Sequence, residues 1–310
     1  MEITWECIVV GGGAAGLSAA LVMGRARRRV LVVDAGRQSN LPTDGIGGLL
    51  GHDHRPPSEL YAAGHRELAG YPSVEVRAGE VVDAGRAGES AVTLVLADGA
   101  RETTRRVLLA TGMEYRHPEL PGIRERWGRS VFHCPFCHGW ENRERPLGVL
   151  DRGADGARRA VLLRAWSDDV TLLSDGPAGL DAGDARRLET LGVEVDERPV
   201  AGLAGTAPGL TGAVFADGSE RPLGGLQVPV VLHQRSPLAE RLGAAAADPN
   251  PIFADGLVVD AMARTTADGV SAAGDVTGDM PSVANAIAAG SRAGAMIVHD
   301  LMDAAAAGPA

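Results

Sequence analysis

The apolar residues near the start of the chain are grouped in a way that predicts a strand, a helix and a second strand. Residues 7–10 and 30–34 are short, almost wholly apolar runs, and residues 17–27 between them have a helix-forming composition. Short apolar runs bounded by turn signals are typical of strands buried in a parallel sheet. This segment therefore predicts a βαβ unit of an α/β domain.

Apolar strand patterns and a helical segment like those of the first βαβ unit return later in the chain. Further predicted elements are strands at residues 74–76, 92–96, 107–112 and 269–276, a hairpin turn at Asp98-Gly99, and a small-residue helix from Pro281 to about Met302. The strand at 269–276 ends in Gly274-Asp275, and a carboxylate at such a strand–helix junction can accept a hydrogen bond from a polyol. These elements predict that both ends of the chain form one domain.

The middle of the chain carries a second βαβ pattern. Residues 147–150 and 170–173 are predicted strands, residues 151–156 occupy the turn, and a helix follows through Leu163. We therefore predict an α/β fold of two Rossmann-like, three-layer βαβ domains. The first is discontinuous, with residues 1–115 and 246–310, and the second is an insert of residues 116–245, joined by linkers near 113–118 and 240–250.

Composition excludes several classes of function. The net charge of −10 argues against a nucleic-acid partner, which needs clustered positive charge. All 30 basic residues are arginine, so P-loop and Schiff-base lysine chemistries are excluded. No apolar run approaches the ~20 residues that span a bilayer. The acidic Glu6 stands where a secretion signal would carry basic residues, so we expect a cytoplasmic protein.

The residues with the strongest chemical signal are His133-Cys134-Pro135-Phe136-Cys137-His138. Structural disulfides are rare in the cytoplasm, so a Cys-X-X-Cys pair there indicates redox activity or metal binding. Zinc is disfavoured because adjacent residues rarely point at one tetrahedral ion and no second Cys-X-X-Cys exists. Attachment of a c-type haem, which the CxxCH pattern also permits, normally occurs outside the cytoplasm. A redox-active disulfide is the favoured interpretation, with no metal.

Several further residues can be interpreted from their surroundings in the sequence. Cys7 lies in an apolar strand and is expected to be a small buried hydrophobe. Phe136 and Trp140 are interpreted as packing residues in preference to residues that stack on a substrate. The loop at residues 36–60 is long enough to suggest a function. Its histidines, His52 and His54, could line a cofactor or a substrate entrance, and their roles stay open, as does that of His133.

The glycine turn after the first strand predicts a nucleotide site. Gly11, Gly13 and Gly16 satisfy G-x-G-x-x-G in the strand–helix context that the motif requires. The first glycine permits a tight turn, the second lets the backbone approach a pyrophosphate, and the third lets helix and strand pack closely. Asp34 ends the second strand, where a carboxylate can bond the hydroxyls of an adenosine ribose.

With these motifs in order, the chain resembles the thioredoxin-reductase family of flavoproteins over almost its whole length. The resemblance rests on the glycine turn at 11–16, Ala110-Thr111-Gly112, the Cys134–Cys137 pair and Ala273-Gly274-Asp275. It implies FAD in the discontinuous domain, redox cysteines in the inserted domain, and a homodimer. The cofactor-binding residues that it implies are Gly11, Gly13, Ala14, Ala15, Gly16, Asp34, Ala35, Gln38, Asn40, Val81, Ala110, Thr111, Gly112, Gly274, Asp275, Ala284 and Asn285.

Two departures from the family pattern concern the nicotinamide site. Asp151 stands where the family's second glycine turn has its first glycine, and a carboxylate there faces an incoming pyrophosphate. After the strand at 170–173, Ser174-Asp175-Gly176-Pro177 carries no cation for the 2′-phosphate of NADPH. Asp175 lies where a ribose ligand for NADH could sit, so use of NADH stays open.

The chain resembles the gliotoxin- and holomycin-type dithiol oxidases of this family more closely. They are similar to thioredoxin reductases with a degraded nicotinamide site and a Cys-x-x-Cys-His sequence. The resemblance implies an FAD-dependent oxidase that closes an intramolecular disulfide in a small natural-product dithiol and passes the electrons to O2, giving H2O2. It also implies catalytic roles for Cys134, Cys137 and His138, with Cys134 facing the substrate and Cys137 the flavin. An NAD(P)H- or ferredoxin-driven thioredoxin reductase and a flavin redox sensor without turnover remain the alternatives.

Overall fold

A computed structural model of the protein describes residues 4–88 and 91–307. The chain divides into two compact units. Unit 1 comprises Met1–Leu41, Pro57–Tyr115 and Val231–Ala310, and unit 2 comprises Pro42–Pro56 and Arg116–Val230. Relative to the predicted boundaries, residues 231–245 join unit 1 and residues 42–56 join unit 2.

Unit 1 contains the predicted first βαβ segment. Its strands are β1 Trp5–Val10, β2 Val30–Asp34, β3 Val74–Ala78, β4 Val81–Arg86, β5 Val92–Leu96, β6 Arg101–Leu109, β7 Met113–Arg116, β16 Val231–Gln234 and β17 Val270–Ala272. Its helices are α1 Ala14–Arg25, α2 Pro57–Leu68, α6 Leu238–Leu242 and α7 Val283–Ala306.

The main sheet of unit 1 has seven strands in the order β3-β2-β1-β6-β5-β4, and β17 also pairs with β6. β1 is parallel to β2 and β6, and β17 is parallel to the second half of β6. The first half of β6 forms the predicted hairpin with β5. The carboxyl ends of β1, β2, β6 and β17 therefore lie at one edge of the sheet, where ligands bind in open α/β folds.

Helices α1 and α7 pack at very close range. A side chain at Gly290 would collide with the Ala15 carbonyl oxygen, and one at Gly294 would lie 2.6 Å from the Ala19 carbonyl oxygen. Two glycines one helical turn apart let the backbones approach. The contact fixes the first turn of α1 in place.

Unit 2 contains the predicted second βαβ segment. Its elements are β8 Val131–Phe132, α3 Pro135–Asn142, β9 Leu147–Leu150, α4 Gly153–Leu163, β10 Val170–Leu173, α5 Ala182–Thr190, β11 Glu194–Asp196, β12 Val200–Ala204, β13 Gly212–Phe215, β14 Glu220–Pro222 and β15 Gly225–Gln227. Five of its strands form a sheet in the order β11-β10-β9-β15-β8, parallel at every pairing. Strands β12, β13 and β14 form a small antiparallel sheet. The predicted α/β fold class is confirmed.

Several predicted elements differ from the observed ones at their ends. The helix predicted at 17–27 begins at Ala14 and ends at Arg25, because Arg27 has a left-handed backbone with φ of 60°. The predicted strand at 269–276 stops at Ala272, since Gly274 has φ of 84° and turns the chain. The last helix begins at Val283, where the Ser282 side chain accepts a hydrogen bond from the Asn285 amide. In the described part of the chain, no helix is long and apolar enough to span a membrane.

Candidate active site

The glycine turn between β1 and α1 fits the three roles expected of it. Gly11 has φ of 113°, and a side chain there would collide with the Ala110 carbonyl oxygen. A side chain at Gly16 would collide with the Gly11 carbonyl oxygen. At Gly13 the nearest obstacle to a Cβ atom is the Gln38 side chain at 3.8 Å, so open space lies in front of this glycine. The turn is tight on both sides and open in the middle.

The open space adjoins the N-terminus of α1. Gly13 is the N-cap of this helix, and no side chain caps the helix start. Uncapped N–H groups and the positive end of the helix dipole form a site for a phosphate. The structure thus has the feature that the pyrophosphate of FAD requires.

Asp34 lies at the end of β2 within a network of donors. Its carboxylate accepts hydrogen bonds from the Gly36 amide at 2.9 Å and from Gln38 Nε2 at 3.1 Å. Gln38 also donates to the Gly12 carbonyl oxygen at 3.2 Å, which ties Asp34 to the glycine turn. A cavity of about 930 Å³ opens here, lined by Asp34, Ala35, Gly36, Arg37, His65, Leu68, Ala69, Val74, Glu75, Val76, Ala78, Gly79 and Glu80. The carboxylate at its wall suits the ribose hydroxyls of an adenosine.

Gly274 and Asp275 lie beside the same helix start. A Cβ atom at Gly274 would stand 2.9 Å from the Ala15 side chain. Asp275 is deeply buried, and burial raises the pKa of its carboxyl group. The Tyr115 hydroxyl donates to Asp275 Oδ2 at 2.9 Å, and the nearby charge of Arg235 partly offsets the effect of burial.

The structure brings together most of the residues that the resemblance implies for FAD. Those around the α1 N-terminus are Gly11, Gly13, Ala14, Ala15, Gly16, Ala110 and Gly274, with Thr111 and Gly112 directly after Ala110. Asp34, Ala35 and Gln38 lie at the cavity. Asn40 accepts a hydrogen bond from Tyr61, and Val81 begins β4. Asn285, next to Ala284, donates a hydrogen bond to the carbonyl oxygen of Met280, which precedes α7. The individual contacts of these residues with FAD stay predictions.

Sequence reasoning missed three groups at this site. Gly12 is required because a side chain there would collide with the Asp34 carboxylate. His65 comes from α2, and its Nε2 lies 3.5 Å from Asp34 Oδ2. Tyr115 joins Asp275 from a position 160 residues away. Gly12 had a sequence signal, as an extra glycine inside the motif. His65 and Tyr115 had none, because they come from elements distant in sequence.

In unit 2 the redox motif forms the start of a helix. Cys134 is the N-cap of α3, Pro135 is its first residue, and Cys137 lies one turn into the helix. Proline is favoured at that first position because its missing N–H would have no partner in any case. Both cysteines are partly exposed thiols in this structure. The spacing places both sulfur atoms at the end of the helix where negative charge is stabilised.

The two cysteines differ in their acidity. The pKa of Cys134 is lowered, first by a hydrogen bond from the Cys137 thiol and then, against the effect of burial, by the amides of Cys137 and Phe136. The pKa of Cys137 is raised by the same hydrogen bond, by burial, and by the charges of Cys134 and Glu141. Cys134 is therefore the more acidic thiol, the better nucleophile when reduced and the better leaving group in exchange.

The His138 side chain, on the same helix as the two cysteines, is held by ring stacking. Its ring stacks on Phe132 with centroids 5.7 Å apart, and both ring nitrogens are shielded from water without a hydrogen bond of ordinary geometry in the described part of the chain. Burial lowers the pKa of His138, and nearby carbonyl groups of Cys134 and Gly128 oppose this only in part. The imidazole is therefore neutral near pH 7 and free to accept a proton.

His133 has a different setting. Its ring stacks on Trp127, with centroids 6.0 Å apart, and Trp127 in turn lies 5.2 Å from the His117 ring. Burial lowers the pKa of His133 to about 4. Gln227 Nε2 donates to the His133 carbonyl oxygen at 2.9 Å. These contacts position the strand end that leads into the redox motif.

The loop of residues 42–56 packs against the redox helix. A side chain at Gly47 would lie 2.7 Å from the Cys137 carbonyl oxygen, so the loop touches the backbone of the second cysteine. His54 Nδ1 lies 3.3 Å from Glu141 Oε1 on α3, and Asp44 pairs with Arg129 at 2.8 Å. His52 instead contacts Arg55 within the loop, at 3.0 Å. The loop is thus part of the surroundings of the cysteine pair.

The turn between β9 and α4 is occupied by the protein's own groups. Asp151 Oδ2 pairs with Arg159 on α4 at 2.5 Å, and its Oδ1 accepts the Arg152 amide at 2.8 Å. The Gly153 amide, at the first position of α4, donates to the Ala178 carbonyl oxygen at 2.7 Å. A carboxylate and a carbonyl group therefore take the places at the helix start where a pyrophosphate would bind.

The segment after β10 is also committed to internal contacts. Asp175 Oδ1 accepts the Val200 amide at 2.8 Å. Arg152 approaches the other oxygen at 3.8 Å and donates to the Asp175 carbonyl at 3.0 Å. The sequence after β10 has no cation, but folding brings Arg152 to it, and Asp175 balances that charge. The carboxylate that could have bonded a ribose is therefore already paired.

In the ranges 4–88 and 91–307, no three His, Cys, Asp or Glu side chains converge as a metal site. Cys7 is fully buried in β1, and burial raises its pKa to about 12. The Cys7 thiol is therefore inert at neutral pH. This leaves Cys134 and Cys137 as the reactive cysteines of the chain.

Comparison with known proteins supports the same family. Residues 5–290 match the family model described as pyridine nucleotide-disulphide oxidoreductase. The chain is 32% identical to thioredoxin reductase tcpT of Claviceps purpurea, over 96% of this chain and 94% of that protein. Among solved structures it is similar to an oxidoreductase from Agrobacterium tumefaciens, with 36% identity, a TM-score of 0.91 and coverage of 97% and 99%. HlmI gives 37% identity, a TM-score of 0.91 and coverage of 98% and 94%.

Proposed function

Because the chain belongs to the pyridine nucleotide-disulphide oxidoreductase family, we propose that it oxidises a small-molecule dithiol to an intramolecular disulfide, with O2 as the final electron acceptor. Members of the family to which it is similar are FAD-dependent thiol-disulfide oxidoreductases, and this chain is one of them. The proposal concerns the direction of electron flow and the identity of the two substrates.

The observation that carries the proposal is the self-occupied start of α4. A reductase of this family would receive its electrons from a nicotinamide whose pyrophosphate binds such a helix start. Here the Asp151 carboxylate accepts the amide of Arg152, the N-cap of α4, and the Ala178 carbonyl group accepts that of Gly153, the first residue of α4. Arg159 holds the Asp151 carboxylate in place. A dinucleotide would have to displace these contacts and accept a neighbouring negative charge. With entry from a nicotinamide disfavoured, a dithiol is the electron donor that we propose.

The exchange steps start from the roles that the resemblance implies, with Cys134 facing the substrate and Cys137 the flavin. A substrate thiolate attacks Cys134 Sγ in the Cys134–Cys137 disulfide; the S–S bond breaks and Cys137 leaves. The second substrate thiolate attacks the substrate sulfur of this mixed disulfide, which closes the product disulfide and releases Cys134. A thiol leaves a disulfide faster when its pKa is low, and the pKa of Cys134 is lowered.

The remaining electrons and protons balance as follows. The substrate loses two electrons, which the cysteine pair gains, and two protons. The proton of the first substrate thiol goes to solvent as the attacking thiolate forms, and O2 takes up two protons when it becomes H2O2. His138, neutral near pH 7, accepts the proton of the second substrate thiol. Bound FAD supplies the two-electron chemistry that reoxidises the pair and delivers the electrons to O2, giving H2O2. Gly11–Gly16, Asp34 and Asp275 would hold the cofactor.

The product stoichiometry tests the proposed function. We expect one H2O2 and one cyclic disulfide for each dithiothreitol oxidised in air, measured by a peroxide assay and by chromatography of the oxidised product. NADPH in place of the dithiol is expected to support no oxygen uptake above the rate without a donor. Peroxide formation driven by NADPH and independent of dithiol would contradict the proposal.

The pH dependence of turnover tests the role of His138. The pKa of His138 is lowered, so the parent enzyme has a neutral imidazole at pH 7 and loses activity as the pH falls through that pKa. At pH 7, His138→Ala is expected to lower kcat/KM for a dithiol by about 100-fold. The deficit narrows as the pH rises towards the ordinary thiol pKa of about 8.5, because thiolate then forms without a base.

His133→Gln is the matched control, since it changes the neighbouring imidazole of the motif. It is expected to keep the parent pH profile. If His138→Ala also kept that profile, with a constant deficit at every pH, a role as proton acceptor would be excluded. The proposal further includes a homodimer, which rests on the resemblance.

A further inference from the structure

The redox helix α3 presents two large aromatic side chains to solvent. Phe136, between the two cysteines, is 71% exposed, and Trp140, one turn further on, is 56% exposed. Residues four apart lie on the same face of a helix. The interpretation of both as packing residues is wrong, because neither ring is covered by the core of unit 2.

Both rings are fixed in place although they are exposed. The Phe136 ring meets the Trp166 ring edge to face with centroids 5.4 Å apart. The Arg143 guanidinium group lies 3.8 Å from the centroid of the Trp140 ring. A Cβ atom at Gly139, between them, would lie 2.7 Å from Trp166, so α3 rests directly on that indole. Rings held in this way lose little conformational entropy when they bind a ligand.

A third apolar side chain belongs to the loop packed on α3. Leu50 is 98% exposed. It lies between Gly47, which touches the Cys137 backbone, and His54, which contacts Glu141 on the redox helix. Leu50 thus lies, in sequence, between two contacts with α3, and the name aromatic face is used for Phe136 and Trp140 alone.

We propose that the aromatic face binds the carbon skeleton of the substrate, and that the substrate is a small dithiol with an apolar, planar body. This inference rests on the proposed function and names its substrate class. Trp140 lies three residues after Cys137 on α3, so the aromatic face adjoins the second cysteine on the helix surface. Offset or edge-to-face packing of aromatic rings adds to the burial of apolar area.

The size of the aromatic face favours a small molecule over a protein. Since a Phe or Trp side chain buries ~150–250 Å², the two exposed rings offer an area on the order of 250 Å². A protein partner in a stable complex buries about 800 Å² on each side. The exposed rings would cover most of one face of a small ring system.

Two matched dithiols test the proposal. Dithiothreitol and 1,2-bis(mercaptomethyl)benzene have the same carbon spacing between their sulfurs, and both close to six-membered cyclic disulfides. We expect the Phe136→Ala/Trp140→Ala enzyme to lose about 30-fold in kcat/KM for the aromatic dithiol, mainly through KM, and less than about threefold for dithiothreitol. Leu162→Ala is the matched control, because Leu162 is 38% exposed in the same unit but lies on α4. It is expected to change neither value, and FAD content and Tm confirm folding.

Equal losses for both dithiols, or no loss for the aromatic one, would overturn the proposal. So would a loss confined to a reduced thioredoxin-fold protein offered as the dithiol, since the face would then be a protein-docking surface. Binding is measured separately with the unreactive bis(methylthiomethyl)benzene by calorimetry, and the double variant is expected to bind at least about tenfold more weakly. If the parent enzyme oxidised no dithiol, the proposed function would fail, while this binding measurement would still decide whether the aromatic face holds an apolar ring.

Discussion

Cys134→Ser and Cys137→Ser enzymes are each expected to lose dithiol-dependent oxygen uptake by at least about 1,000-fold while retaining bound FAD. Either change removes the disulfide that accepts electrons from the substrate. Cys134 and Cys137 lie in unit 2, whereas the glycine turn and Asp34 lie in unit 1, so the substitutions leave the cofactor cradle intact. Oxygen-electrode rates and flavin absorbance measure the two properties separately.

The two single variants are also expected to differ from one another. In Cys137→Ser, the serine hydroxyl can still donate to the Cys134 sulfur, and the amides at the start of α3 remain. Cys134 should therefore be alkylated by iodoacetamide at pH 7 about tenfold faster than Cys137 in Cys134→Ser, because only the thiolate reacts. Equal alkylation rates would contradict the assignment of Cys134 as the more acidic thiol.

Cys7→Ala is the matched control for both variants. Cys7 is fully buried, and its pKa of about 12 keeps it protonated and unreactive. The Cys7→Ala enzyme is expected to turn over dithiol at the parent rate. A comparable loss in this variant would mean that removal of any cysteine damages the fold.

The sequence predicted the conformation of the glycine turn well because the constraints on it are local. A glycine turn between an apolar strand and a helix leaves few other structures, and Gly11, Gly13 and Gly16 have the surroundings expected of them. The partners of Asp34 and Asp275 could not be predicted. His65 and Tyr115 reach them from other elements, and no local pattern encodes a contact between residues so far apart in sequence.

Some properties of the redox site also could not be predicted from the sequence. The spacing of Cys134 and Cys137 predicted their chemistry, but the acidity difference arises from the helix that begins at Pro135. The sequence indicates packing roles for Phe136 and Trp140 because large aromatic side chains are usually buried, and only the fold shows which face of α3 meets solvent. The contact of Gly47 with the Cys137 backbone also needs the fold.

The departure at Asp151 was visible in the sequence as a carboxylate in place of a glycine. The structure shows that the protein's own groups contact the polar atoms of this turn. Arg159, the seventh residue of α4, neutralises Asp151, and the Ala178 carbonyl group comes from the segment after β10. A carboxylate that only crowded the turn could move aside, whereas one held by an arginine and an amide resists displacement.

The direction of electron flow is tested most directly by anaerobic titration of the FAD-loaded enzyme, with the visible flavin absorption as the readout. The account predicts that dithiothreitol or 1,2-bis(mercaptomethyl)benzene bleaches the flavin within the time of a single turnover. NADPH and NADH at the same concentrations are expected to bleach it at least about 1,000-fold more slowly, because Asp151 and the Ala178 carbonyl occupy the start of α4. Rapid bleaching by either nicotinamide, with none by the dithiols, would contradict the account and identify a reductase.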